Sequence, residues 1–254
     1  MELARILLIV CPLVFTAGFV DAIAGGGGII SLPAYLFAGL PVHFAAGCNK
    51  FSASFGTIIA AKKYFNSGKM NFKIALYSGI GAILGAWLGT NLALYIDEKT
   101  LEGLLLLALP LVAFFLATQK GFGKEVLQKD YTHKKQAVLS LIIGLTVGAY
   151  DGLIGPGTGT FLILAFSGLL GLELVTASGC AKVSNLASNL TSMLIFTLSG
   201  KVIFIIAIPA AIFSMLGGYM GAKFAIKKGS NSVRYIIFLV LGLLFLKTIM
   251  EIIN

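Results

Sequence analysis

Charge is scarce in this sequence: of 254 residues only 11% are Asp, Glu, Lys or Arg, against about a quarter in soluble domains. Hydrophobic residues make up 58% and the mean hydropathy is +0.97, so an ordinary soluble domain is excluded and an integral membrane protein remains. Strict alternation of apolar and polar residues is missing. The apolar stretches are instead long and continuous, which excludes a transmembrane barrel and predicts an all-α polytopic membrane protein. Cysteine is sparse, and Cys11, Cys48 and Cys180 all lie inside apolar stretches. Neither a disulfide framework nor a zinc site is expected, and the three are read as small packing residues. The ten acidic residues leave a net charge of +9. No basic stripe with interleaved aromatics accompanies it, so nucleic acid is not an expected partner. The lysines sit in short loops between apolar runs, where the positive-inside rule puts them. The glycine runs follow no strand and precede no Gly-Lys-Ser or Gly-Lys-Thr, so they are not phosphate-binding loops, and no cofactor or metal is expected.

Glycine is abundant, at 31 residues, and its placement recurs. Asp21-Ala-Ile-Ala-Gly25-Gly26-Gly27 is answered by Asp151-Gly-Leu-Ile-Gly155-Pro156-Gly157, at an offset of 130 residues. At an offset of 132, Gly47-Cys48-Asn49-Lys50 is answered by Gly179-Cys180-Ala181-Lys182, Gly68-Lys69 by Gly200-Lys201, and Gly85-Ala-Trp-Leu-Gly89 by Gly217-Gly-Tyr-Met-Gly221. A two-residue insertion between the first two motifs reconciles the offsets. Internal duplication in so apolar a chain marks a repeat-built membrane transporter, with solute expected where the copies meet.

Five apolar segments are read in each half: 6–24, 28–40, 44–61, 72–95 and 101–118, then 137–154, 158–170, 174–199, 202–225 and 233–252. This divides the chain into an N-terminal repeat (1–119), a polar linker (120–135) and a C-terminal repeat (136–254). The first segment ends in Ala22-Ile23-Ala24 and has the look of a cleavable leader; it is read as retained, because cleavage would destroy the first copy of a motif whose second copy is internal. The second segment of each half is about 13 residues, roughly 20 Å of helix against a hydrocarbon core of about 30 Å. Each follows a glycine cluster, so a broken or re-entrant short helix is expected, permitted only where the open backbone lines protein or a cavity.

Loop charge relates the halves. The loop after the third segment is basic in the first half (Lys62, Lys63, Lys69, Lys73), and the loop after the fourth holds Asp97, Glu98 and Lys99. In the second half the pattern reverses: Lys201 alone, then Lys227, Lys228 and Arg234. Reversal predicts two inverted-topology repeats, with the linker cytoplasmic and both termini outside.

Polar residues inside these apolar runs are the candidate site. Asp21 and Asp151 each cost at least about 2.5 kcal/mol at the bilayer centre unless they face the interior, a cavity or a partner. They read as ion-coupling sites, as lysine counter-ions, or as caps of the glycine turns. Lys182, Asn185, Asn189 and Ser192 are spaced three, four and three apart and share one helix face. Lys50, Ser54 and Thr57 form a shorter stripe beside Asn49. The lysines either serve the solute or snorkel to the interface. Gly25, Gly26, Gly27 and Gly28, with Gly155, Gly157 and Thr158, let the backbone unwind, after which the amides and positive dipole end of each short helix would point at an anion. Gly81, Gly85, Gly89, Gly217 and Gly221 follow small-xxx-small spacing and read as helix-packing faces. His43 and His133 are read as a loop-edge and a linker residue without a role.

The duplicated Gly-x-x-Asp-x-x-x-Gly motifs (Gly18 to Gly25, Gly148 to Gly155), the Gly-x-Asn-Lys and Gly-x-Ala-Lys elements, and Asn185 to Asn189 together resemble the TauE/SafE sulfite exporter family over nearly the whole chain. The resemblance implies movement of sulfite and of organosulfur or carboxylate anions across the prokaryotic cytoplasmic membrane. Cys48 and Cys180 stand where that pattern leads one to expect threonine, which bears on the anion's identity if that hydroxyl contacts solute. The expected function is a secondary transporter of small anions, working by alternating access and coupled to an ion gradient, whose partners are the anionic solute and the lipid bilayer. A non-transporting subunit or scaffold is the alternative. An intramembrane enzyme ranks third, since Tyr150-Asp151 lacks the Gly-x-Gly-Asp partner of an aspartyl protease.

Overall fold

The computed structural model describes residues 2–104, 131–233 and 235–236. Among the described residues the helices that build the bundle are α1 (Glu2–Ala24), α2 (Gly28–Phe37), α3 (Val42–Asn66), α4 (Phe72–Tyr95), α5 (His133–Leu153), α6 (Thr158–Leu170), α7 (Leu174–Leu198) and α8 (Phe204–Lys228); residues 98–104 and 230–233 are helical as well, and no strand occurs among the described residues. All but the first few residues of the segments expected at 101–118 and 233–252, and residues 120–130 of the expected linker, lie outside the described residues. Residues 133–135, assigned above to the linker, are instead the first turn of α5, where the Thr132 hydroxyl oxygen accepts the Lys135 amide at 3.4 Å. His133 is therefore helical as well.

Helices α1, α4, α5 and α8 are long and apolar enough to cross a bilayer. Helices α3 and α7, 25 residues each, reach about 37 Å but carry the lysines, asparagines and serines, most of them buried. The packing explains this. Helices α3 and α7 touch at the centre, α8 and then α1 cover one flank, and α4 and then α5 cover the other. The lipid-facing surface belongs to exposed Leu84, Trp87 and Leu88 on α4 and Ile208, Ile212 and Leu216 on α8.

Glycine sets how closely the outer helices approach. A Cβ on Gly81, Gly85 or Gly89 would lie 2.1–2.2 Å from the carbonyl oxygens of Leu141, Leu145 and Ala149 on α5, and one on Gly217 or Gly221 equally near those of Phe15 and Phe19 on α1. Only glycine permits such backbone contact, as the small-xxx-small spacing predicted. The numbers advance together, so α4 runs parallel to α5 and α1 to α8. Helix α3 runs antiparallel to α7: Gly47 meets Phe196 and the Lys201 carbonyl, while Gly179 meets Tyr64 and the Lys69 carbonyl.

Two apolar cores follow, one at each end of the bundle. One contains Cys48, Phe196, Ile206 and Ala207; the other contains Cys180, Tyr64, Ile74 and Ala75. Each residue of the first is 132 positions from its counterpart in the second. Val10 of α1 and Leu32, Leu40 and Val42 around α2 share the first core, so α2 returns to the end from which α1 set out. Leu162, Leu170 and Leu174 around α6 share the second with Ile143 of α5. Helices α2 and α6, of 10 and 13 residues, extend about 15 and 20 Å, too short to cross alone.

Two sequence expectations change. Lys62 and Lys63 are not loop residues but lie in the last turns of α3, and Lys73 lies in the first turn of α4, leaving 67–71 as the connection. Lysine is a good helix former and its cation suits a helix C-terminus, so a drop in hydropathy there did not end the helix; Lys227 and Lys228 repeat the arrangement at the end of α8. His43 is not at a loop edge: it is the second residue of α3, buried, with Nε2 3.1 Å from the Ala93 carbonyl and Nδ1 3.5 Å from Glu98.

Candidate functional site

The site forms where the two helix breaks meet. Gly25 (φ +77°), Gly155 (φ +93°) and Gly157 (φ +84°) adopt the left-handed conformation, which side chains disfavour. Gly25 also packs directly on the backbone of Gly159. The Thr160 amide donates to the Gly25 carbonyl at 3.2 Å and its hydroxyl to the Ala24 carbonyl at 2.8 Å, stitching one break to the other.

Across this junction run two ion pairs. Lys50 Nζ lies 2.8 Å from Asp151 Oδ2, and Lys182 Nζ lies 2.7 Å from Asp21 Oδ2. Each lysine thus reaches the carboxylate of the other half, and the pairs are counterparts under the 132- and 130-residue offsets. Both lysines are buried and neither snorkels. The Lys182 side chain has no exposure, whereas that of Asp21 is 19% exposed. Both aspartates are lysine counter-ions and turn caps at once: Asp21 Oδ1 accepts the Gly27 amide at 3.4 Å, and Asp151 Oδ1 accepts the Thr158 hydroxyl at 2.8 Å. Asp151 Oδ2 also accepts the Ser188 hydroxyl at 2.6 Å. Charges taken this far from water persist only because they are paired and hydrogen-bonded.

A cavity enclosing about 570 Å³ of empty space, part of it open to solvent, lies beside these pairs. Of the expected site residues, Asp21, Gly25, Gly27, Gly28, Asn49, Lys50, Asp151, Gly155, Thr158, Asn185 and Asn189 line it; Gly26, Gly157 and Lys182 do not. The first turns of α2 and α6 face it, presenting the positive ends of two helix dipoles. Lys50 Nζ donates to Asn189 Oδ1 at 3.2 Å, Asn189 Nδ2 to Asn185 Oδ1 at 3.3 Å, and the Ser31 hydroxyl to Asn49 Oδ1 at 2.6 Å. A smaller cavity, about 330 Å³ of empty space with part of it open to solvent, is lined by Asn49, Lys50 and Asp151 as well and by Leu32, Ala93, Leu101 and Phe196. The Lys50–Asp151 pair therefore lines both cavities.

Sequence reasoning missed Ser31 and Ser214, which line the cavity, and Ser188, which bonds Asp151. Ser188 lies three residues after Asn185 and could have been found on the same face, whereas Ser31 and Ser214 carry no periodic signal. Ser192, counted on the polar stripe, turns to α4 instead and meets the Thr90 hydroxyl at 2.8 Å. The cysteines face away from the cavity: the Ile203 amide donates to Cys48 Sγ and the Asn71 amide to Cys180 Sγ, each at 3.3 Å. Each thiol holds the residue just before α8 or α4 in the opposite half, so a cysteine at these positions bears on a helix entry rather than on the solute.

An all-helical bundle in which two halves exchange buried counter-ions around a polar cavity, roofed by broken helices, has the build of a membrane transporter. The family model for the sulfite exporter TauE/SafE matches residues 10–248, and the chain belongs to that family. It is similar to a probable membrane transporter protein of Haemophilus influenzae, 38% identical over 225 residues that cover 87% of this chain and 85% of the relative. It is also similar to the probable membrane transporter protein ORF9 of a Sinorhizobium species, at 32% identity covering 89% of this chain and 85% of the relative. The probable membrane transporter protein YfcA of Escherichia coli K12 is 31% identical, covering 92% and 86% respectively. No solved structure matches the chain.

Proposed function

We propose that this protein is a secondary transporter of small anions, of sulfite, organosulfonate or carboxylate type, across the cytoplasmic membrane. Transport proceeds by alternating access between two inverted-topology repeats, residues 1–119 and 133–254, the second starting with the first turn of α5, joined by a cytoplasmic linker at 120–132 with both termini outside. Asp21 and Asp151 serve ion coupling. The chain acts as a transporter and not as a scaffold or an intramembrane enzyme.

The observation that carries this reading is the cavity itself, bounded by the N-terminal turns of α2 and α6 and by Lys50, Asn49 and Asn189. Helix N-termini with unwound approaches are a general way to hold an anion at membrane depth. The inverted arrangement is supported by the antiparallel contact of α3 with α7 and by the counterpart cores at opposite ends. Sidedness is supported by the lysines, since Lys62, Lys63, Lys73, Lys134, Lys135, Lys227 and Lys228 sit at the helix ends that share one face of the bundle. A scaffold would have no use for paired charges exchanged between both copies of a cavity motif.

Reconstituted vesicles test the reading directly. Flux of radiolabelled sulfite, methanesulfonate, 2-hydroxyethanesulfonate and acetate should be saturable for at least one of them and abolished in Gly27→Leu, where the new side chain would meet Asp21 and the Ala17 carbonyl within 2.6 Å. Equal flux in protein-free vesicles for the whole series removes the proposal.

A further inference from the structure

The charges at the main cavity sum to zero, because Lys50 is cancelled by Asp151 and Asp21 by Lys182. An added anion then gives these side chains and their ligand a net formal charge of −1, offset only by the partial positive charges of the two helix N-termini, which is unfavourable where the groups are buried. Building on the anion-transport reading above, we propose that anion binding draws one proton onto Asp151, so that the anion replaces that carboxylate as the counter-ion of Lys50 and each monoanion crosses with one proton.

The hydrogen bonds around Asp151 suit this exchange. A protonated carboxyl must donate, so a neighbour must turn from donor to acceptor. Both hydroxyls on Asp151 have somewhere else to donate: Ser188 lies 3.1 Å from the Asn185 carbonyl, and Thr158 lies 2.6 Å from the Gly155 carbonyl. Either hydroxyl can swing its hydrogen to that carbonyl and accept the Asp151 proton on its own oxygen. Lys50 keeps all three of its protons and its bond to Asn189, and its freed contact turns to the anion in the cavity it lines. The proton comes from solvent, so an O–H bond of hydronium breaks as one Oδ–H bond forms, and no group changes oxidation state.

Asp21 lacks this arrangement. Its oxygens are held by the Gly27 amide and by Lys182, which also donates to the Asp21 carbonyl. An amide cannot become an acceptor, so the proton belongs at Asp151. The groups facing Asp151 are Lys50 from α3, Ser188 from α7 and Thr158 at the start of α6, with uncharged Thr90 of α4 behind Gly152. Tyr150, beside it on α5, donates to the Pro156 carbonyl at 2.6 Å. The Lys50–Asp151 pair also lines both cavities.

Calorimetry on the purified full-length protein in detergent decides it, with methanesulfonate, 2-hydroxyethanesulfonate and acetate, all fully ionised from about pH 6 to 8.5. For a ligand that binds, the apparent Kd should rise about tenfold per pH unit on the alkaline limb, as linkage to one proton requires. Titrations in two buffers of different ionisation enthalpy should then report one proton taken up per anion. In Asp151→Asn both effects should vanish, with affinity at pH 8.5 at least that of the wild type at pH 6. A merely structural Asp151 predicts weaker binding at every pH instead, and that result overturns the proposal. Binding that is flat with pH in the wild type, or that follows sodium concentration, overturns it while leaving anion transport standing. If Asp151→Asn does not fold, the two-buffer titration of the wild type is decisive alone. Absence of binding by these anions and by sulfite at any pH removes the anion site and this proposal together.

Discussion

The Asp21–Lys182 pair gives the sharpest test of how this bundle tolerates charge. Lys182 has no side-chain exposure, while Asp21 is 19% exposed and lines the cavity, so the two single variants should differ. Breaking a buried pair costs about 3 to 5 kcal/mol because the surviving charge is stranded. Asp21→Asn leaves the ammonium of Lys182 enclosed with only a carbonyl and an amide oxygen and belongs near 5 kcal/mol on this scale. Lys182→Gln leaves a carboxylate that keeps the Gly27 amide and can draw water from the cavity, and belongs near 3 kcal/mol. Additivity predicts about 8 kcal/mol for Asp21→Asn/Lys182→Gln, whereas a double variant with no buried charge should lose no more than about 3 kcal/mol. At roughly 2–4 °C per kcal/mol for a chain of this size, thermal unfolding in detergent, followed by the loss of the monodisperse peak on size exclusion, resolves these values. Additive losses in the double variant, or an Asp21→Asn protein as stable as the wild type, would refute the reasoning.

Three other measurements follow from the packing. Gly85→Ala should abolish folded yield because its Cβ would lie 2.1 Å from the Leu145 carbonyl, while Gly79→Ala, whose nearest contact would be 3.7 Å away, should express and melt as the wild type. Gly25→Ala meets both the left-handed φ and the Gly159 backbone and should not fold, but Gly39→Ala, at φ +90° in open space, should lose only about 1–2 kcal/mol, read as a Tm difference. Accessibility labelling of single cysteines should mark Ser67→Cys only from the cytoplasmic face and Ser199→Cys only from outside; labelling of both from one side refutes the proposed sidedness.

Much of the helical plan was legible because it depends on chain-local physics. Segments 72–95 and 158–170 coincide with α4 and α6, and the glycine clusters mark the breaks, since a run of apolar residues and a residue free to take positive φ speak for themselves. Boundaries failed where composition changed without a change of backbone, as at Lys62 and Lys63, whose cations finish α3 instead of following it. The role of Cys48 and Cys180 was hidden because the amides they receive, at Ile203 and Asn71, lie 155 and 109 residues away.

What the sequence by itself determined is the class of molecule, the recurrence of its glycine and lysine motifs, and the identity of the polar residues that membrane burial makes expensive. Asp21, Lys50, Asp151 and Lys182 could be singled out because each is a charge in an apolar run. Only the tertiary structure decided who neutralises whom. Helices α3 and α7 cross antiparallel at the centre, so each lysine meets the aspartate of the other half, 101 and 161 residues away. That geometry leaves Lys50 at the cavity and Lys182 sealed behind Asp21, a difference between two matching motifs that depends on how the halves are packed and not on either motif.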